Sequence, residues 1–240
     1  MIDIVDRLIA QVADVEEFEF VSAIASRLPV EIIGHIMGVE TLSAKQLVEI
    51  RKDAEDAGDQ LTAEEALALC VLLLVAGNET TTGLLCKILV SLRSFPDQER
   101  LVRNDLSLVP NLTEETLRYL SPTQVLFRRA TGATEICGVA IPKDSIVLPI
   151  YGSANRDETI FARPDQLDVT RTDLRQHMAF GWGIHLCVGR ALALLKSELA
   201  IKHLFKQFRT IDIVEDNIDW CDTFYLRCPR TFTLRWVKHG

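Results

Sequence analysis

The sequence predicts a mainly α-helical protein with small β-sheets, on three observations. Helix-compatible residues run unbroken from a capping box at Thr62 and Glu65 to Phe95, where Pro96 stops them. A second strongly apolar helical stretch covers residues 188–208. Between the two, residues 123–150 mix β-branched residues with turn signals, as in "TGATEICGVAIPKDSIVLPI", a texture of short strands.

The elements follow in order. The first forty residues show helical apolar spacing with breaks at Pro29 and near Gly38, which predicts two or three short helices. The next helix, of about 33 residues, would be roughly 50 Å long at 1.5 Å per residue, enough to cross a domain. It is apolar nearly all round from Leu67 to Ala76, the pattern of a central, buried helix. Helices are expected at Asp97 to Asn104 and Asn111 to Tyr119, the latter ended by Ser121 and Pro122. Irregular chain rich in Asn, Asp, Arg and Pro then runs to about Gly183, followed by the helix from Val188 to Phe208 and a strand in "TFTLRW". Two segments result: a short helical region over residues 1–60 and a core over 61–240.

With 240 residues, 48% of them hydrophobic and 25% charged, the chain can bury a sizeable core. No charged segment followed by an apolar one opens it, and the run Ala66 to Ala76 falls short of the roughly 18 residues of a membrane span. A cytoplasmic location with no membrane partner is the expectation. The net charge of −8 leaves no basic footprint for nucleic acid. Six cysteines, Cys70, Cys86, Cys137, Cys187, Cys221 and Cys228, are scattered without a CxxC pair, which argues for reduced thiols over a zinc site or disulfide framework. The acidic stretch "RKDAEDAGDQ" reads as a solvated connection.

Chemistry concentrates in "AFGWGIHLCVGRALA", residues 179–193, where Gly181, Gly183 and Gly189 surround Cys187. Three glycines within nine residues point to unusual dihedrals or a close backbone approach. Cys187 lies at the amino end of the second apolar helix, where unpaired N–H groups and the positive dipole end favour an anionic sulfur. Three roles are open to it. A nucleophile would need an oriented histidine base, and His185 is the only one near. A single axial bond to haem iron needs no other protein ligand. A small buried hydrophobe is the ordinary fate of a lone cysteine.

The whole string decides among them. Phe180-Gly181-x-Gly183-x-His185-x-Cys187-x-Gly189 resembles the haem-binding signature of the cytochrome P450 family at every fixed position. The resemblance implies haem b, iron protoporphyrin IX, with Cys187 as the axial ligand of the iron. Glycines would let the loop lie under the porphyrin, backbone N–H groups would aim at the sulfur, and Phe180 would shield it from water.

Three upstream features also resemble the family. In "AGNETTTG", Gly77 weakens the long helix, the Thr80 hydroxyl can bond back to the Ala76 carbonyl, and a local groove is expected there. The family's acid-threonine pair relays protons to dioxygen, which implies that role for Glu79 and Thr80. Asn78-Glu79-Thr80 also reads as a glycosylation sequon, and Thr80 to Thr82 as a cap for a second helix. Glu115 and Arg118 share a helix face at i,i+3, a spacing common in surface ion pairs. In the family the ExxR pair is buried and joined by a further arginine, here Arg171 in "DQLDVTR", with Leu167 where an aromatic is usual. In "FRRATGATEICG", alignment on Gly138 selects Arg128 as the haem propionate ligand, with Arg129 as the alternative since adjacent strand residues face opposite ways. His185 would assist at a propionate. "SANRD", with Asn155, Arg156 and Asp157, fits the family as well.

The resemblance implies the cytochrome P450 fold and a haem-thiolate monooxygenase that inserts one oxygen atom of dioxygen into a small, apolar organic substrate beside Ala76, Val125 and Leu126. Electrons would come from an external ferredoxin-type donor, since no flavin or iron-sulfur motif is present. "SRLPVEIIGHIMGVE" resembles the helix before the family's lid helices, yet only 36 residues separate Glu40 from Gly77. That is too short for the usual lid pair, so a P450 core lacking its amino-terminal portion and lid is expected. The rival reading is a truncated, non-catalytic remnant that binds haem weakly or not at all, with solvent reaching the site. A cysteine hydrolase rests on Cys187 and His185 alone.

Overall fold

The computed structural model describes residues 1–36 and 62–239. The predicted break near Gly38, the stretch "RKDAEDAGDQ", Glu40 and the boundary between residues 60 and 61 lie outside the described residues.

Helix α1 (Ile2–Val12) buries Val5, Leu8 and Ile9, a three-and-four spacing that makes one apolar face. A short strand β1 (Glu17–Glu19) and a π-helical turn over Val21–Ala25 lead into α2 (Arg27–Ile36). Pro29 does not break α2 as expected. It lies in the first turn, where a missing N–H is tolerated. The Ala25 carbonyl, four residues before the proline, instead accepts the Thr82 hydroxyl at 3.0 Å.

The central helix α3 (Ala63–Ser94) begins at the Thr62 and Glu65 capping box and ends just before Pro96, which opens α4 (Pro96–Asn104). Two expectations are corrected here. The helix runs straight through Gly77, so "AGNETTTG" makes no break in the backbone. Its apolar stretch from Leu67 to Val75 is exposed rather than buried, Leu67 at 66%. The core takes α3 only from Leu84 onward, through Leu85, Ile88, Leu89 and Leu92. Uniform apolarity records suitability for burial; which half enters the core depends on the neighbours, and here it is the later half. By length and composition alone, Leu67–Ser94 could cross a membrane, but its later half is the core of this fold.

Helix α5 (Val109–Tyr119) and helix α7 (Arg190–Gln207) pack on α3 and on each other. Among the described residues, four small antiparallel sheets complete the fold. The largest joins β1, β9 (Thr233–Lys238) and β6 (Phe208–Ile213), so the amino terminus pairs with the carboxy terminus through Glu17 and Arg235. Trp236 stacks on Phe208 at 3.6 Å between ring centroids and packs against Phe18 at 4.2 Å. Between residues 123 and 150, β2 (Arg128–Arg129) pairs with β5 (Ile146–Val147), and β3 (Thr134–Ile136) with β4 (Val139–Ile141). Helix α6 (Tyr151–Ala154) follows, and β7 (Asp219–Trp220) pairs with β8 (Pro229–Thr231).

Candidate functional site

The Glu115 carboxylate, without exposed surface, accepts Arg118 Nε at 2.7 Å and Nη2 at 2.8 Å, Arg171 Nε at 3.1 Å and the Asp168 backbone N–H at 2.9 Å. Arg118 also donates to the carbonyls of Asn155, Pro164 and Gln166, so one guanidinium organises the irregular segment that no regular element supports. Leu167 is buried among the core residues beside it. Asn155 passes the order on, its side-chain oxygen accepting the Met178 N–H at 2.6 Å at the start of the cysteine loop.

That loop is clamped at both ends by Glu114, the neighbour of Glu115 on α5. One oxygen of Glu114 lies 2.6 Å from His177 Nε2 and the other 3.0 Å from Arg190 Nη2. Burial alone would raise the Glu114 carboxyl, but His177 and Arg190 outweigh it and hold it below the usual carboxylate range. Within the loop, Gly181 and Gly183 adopt φ of 73° and 65°, the left-handed region. A side chain on Gly181 would stand 3.3 Å from the His185 carbonyl. The Cys187 N–H donates to the Phe180 carbonyl at 2.9 Å, closing the loop and leaving the Cys187 side chain exposed. The Phe180 ring packs against His177 and the Arg190 guanidinium, and His185 is exposed. Gly189 caps α7, which begins at Arg190, two residues later than expected, because Gly183–His185 takes a separate 3-10 turn.

Arg128 reaches toward this loop through Tyr151, whose hydroxyl accepts Arg128 Nη2 at 3.3 Å and lies 3.8 Å from the Cβ position of Gly181. Arg129, next along β2, is exposed and 3.9 Å from Asp144. Val125 is buried and bridges to Ile150, while Leu126 and Phe127 are exposed. On α3, the Thr80 hydroxyl donates to the Ala76 carbonyl at 2.7 Å, and Ala76 and Glu79 are exposed. Helix α7 ties this turn to the cysteine loop: buried Lys196 donates to the Gly77 carbonyl at 3.4 Å, six residues and roughly 9 Å along α7 from Arg190. Tyr151 and the Glu114 clamp were not legible in the sequence, since Glu114 meets Arg190 across 76 positions and no local spacing signals it.

A family model, Cytochrome P450, matches residues 35–223. The chain belongs to the cytochrome P450 family. It is 43% identical over 180 residues to 6-deoxyerythronolide B hydroxylase of Saccharopolyspora erythraea, covering 74% of this chain and 44% of that protein. It is 36% identical over 194 residues to a biotin biosynthesis cytochrome P450 of Bacillus subtilis, covering 76% and 49%. In structure it resembles cytochrome P450 CYP109Q5 of Chondromyces apiculatus, with a TM-score of 0.89 and 32% identity over 99% of this chain and 71% of that one. The chain thus has the P450 fold, and it spans about half the length of these two curated relatives.

The residues present fit a haem. An exposed thiol lies in a loop whose apolar side chains face solvent, Ile184 at 97% and Val188 at 95% exposed, and no atom lies within 4 Å of a Cβ placed on Gly183. A flat apolar macrocycle would cover such a surface, and the Arg128 guanidinium near the same loop suits its carboxylates.

Proposed function

We propose that this chain is the haem-binding core of a haem-thiolate monooxygenase, with Cys187 holding the iron of haem b. The observation that carries the reading is the exposed sulfur in a glycine loop whose own N–H is tied to the Phe180 carbonyl. When bound, haem would supply dioxygen activation and the transfer of one oxygen atom to substrate. The chain's residues do the rest. Arg128 and His185 neutralise the propionates. Phe180 and Gly189 keep the sulfur's surroundings apolar and close. Glu79 and Thr80 hold and pass protons at the turn of α3, and Ala76, Val125 and Leu126 form the wall for a small apolar substrate. Cytoplasmic location and a ferredoxin-type electron donor accompany this reading.

Titration of the purified chain with iron protoporphyrin IX, followed by absorbance, tests it. Saturable uptake that weakens in Arg128→Ala and loses its thiolate signature in Cys187→Ser is the expected result; no uptake overturns it. A second reading, a chain that holds haem weakly and does not turn over substrate, is favoured by the exposure of Leu67 to Val75, which leaves the substrate side of α3 open to water. Haem uptake without any substrate-dependent oxygen consumption, given reductant and donor, would select it.

A further inference from the structure

Cys86 is fully buried on α3, one turn after Gly83, and Cys228 is half-buried just before β8. Gly83 and Cys86, three residues apart, share one face of α3, and Cys228 packs on that face, where the two thiols interact. Their approach depends on Gly83: the Cys228 sulfur lies 3.4 Å from where a Cβ on that glycine would stand. Lys87, next along α3, donates to the Ser121 carbonyl at 2.7 Å, lies over the Trp220 ring at 5.9 Å and faces Cys228. Glu79 on α3, Arg227 on the β7–β8 loop and Glu19 on β1 complete the charges around the pair. None of these groups except Glu79 has a part in the proposed haem chemistry.

We propose that Cys86 and Cys228 form a dithiol site that peroxide oxidises to a disulfide, stapling the β7–β8 hairpin to the central helix. Cys86 and Lys87 pull the Cys228 thiol down, while burial pushes that of Cys86 well up. Cys228, half-buried where Cys86 is fully enclosed, is the sulfur that peroxide reaches, so Cys228 attacks and Cys86 resolves. The Cys228 thiolate attacks one oxygen of hydrogen peroxide; the S–O bond forms, the O–O bond breaks, and the departing hydroxide takes the thiol's proton to give water and a sulfenic acid. The Cys86 sulfur then attacks the Cys228 sulfur; the S–S bond forms, the S–O bond breaks, and the second water leaves with the Cys86 proton. Two electrons pass from the sulfurs to peroxide.

The staple would act on the proposed substrate wall. The hairpin loop sets Phe224 edge-on to Phe127 at 5.9 Å, and the Tyr225 carbonyl accepts the Gln124 N–H at 2.8 Å, immediately before Val125 and Leu126. The competing partner is Cys221, whose N–H donates to the Cys228 carbonyl at 2.9 Å across the hairpin.

The experiment treats the full chain with a few equivalents of hydrogen peroxide, alkylates the remaining thiols, digests with trypsin without reductant and maps the peptides by mass. The peptide that ends at Lys87, alkylated at its Cys70 and joined through Cys86 to Cys228-Pro229-Arg230, about 2 Da lighter than the same two peptides with Cys86 and Cys228 reduced, with fragment ions placing the link on Cys86, and released by dithiothreitol, is the expected result. Cys221→Ser should keep this linkage and Cys228→Ser lose it. Hydrogen exchange over residues 221–228 should slow on oxidation and recover on reduction. A Cys221–Cys228 linkage, or Cys86 and Cys228 both alkylated where exposed Cys137 is oxidised, overturns the proposal, as does unchanged exchange in the cross-linked chain.

Discussion

At Glu115, two guanidinium groups and a backbone N–H converge on a carboxylate removed from water. Deleting it strands Arg118 and Arg171 as buried charges, so Glu115→Ala should cost roughly 3–5 kcal/mol in urea unfolding. Its neighbour Glu114 carries a pH dependence. Its folded pKa lies below the unfolded value of about 4.3, so its stabilisation is complete above that pH and is lost as pH falls through the folded value. Glu114→Gln should therefore lower stability at pH 7 and flatten the curve of stability against pH as it falls below about 4.3. At Gly181 a side chain would meet both a left-handed φ and the His185 carbonyl, so Gly181→Ala should destabilise the loop by about 1–2 kcal/mol and weaken haem uptake in the titration. The i,i+3 spacing of Glu115 and Arg118 was readable because both lie on one helix. The Glu114 clamp was not, because its partners come from distant chain.

Helix α3 shows what sequence carries at the scale of an element. Thr62, Glu65 and Pro96 mark its ends through local chemistry, and the ends were legible to within a residue. Its covering was not, since the large apolar side chains from Leu67 to Val75 resemble those of the buried half yet stay exposed, outside the core. Pro29 misled for a related reason: proline forbids a hydrogen bond, and Thr82 satisfies the carbonyl left behind. Strand β1 is three residues, "EFE", paired with β9 more than two hundred positions away, and nothing local announces it. Where α7 meets α3, burial pushes the Lys196 ammonium down to about 8. The cost of charging it in the fold is full below that pH and vanishes as pH rises toward the unfolded value of about 10.4. Lys196→Met should thus stabilise the protein by about 1–3 kcal/mol at neutral pH, with the urea midpoints of the two proteins converging above about pH 10.

At the scale of the molecule, the P450 fold is present across nearly the whole chain, while the chain spans about half of two curated relatives and 71% of one solved neighbour. The cysteine loop, the buried ion trio and the Arg128 strand stand in one framework built on α3, α5 and α7. Haem that binds the folded chain alone should raise its unfolding free energy by about 2.7 kcal/mol at a hundredfold excess over Kd, read as a shift in Tm. The central claim, that Cys187 is the iron's ligand, has a more direct test: load the chain with haem, reduce it, add carbon monoxide and record the absorption spectrum. The account predicts a red-shifted, thiolate-type band that disappears in Cys187→Ala; a band without that shift, or one that survives the substitution, would contradict it.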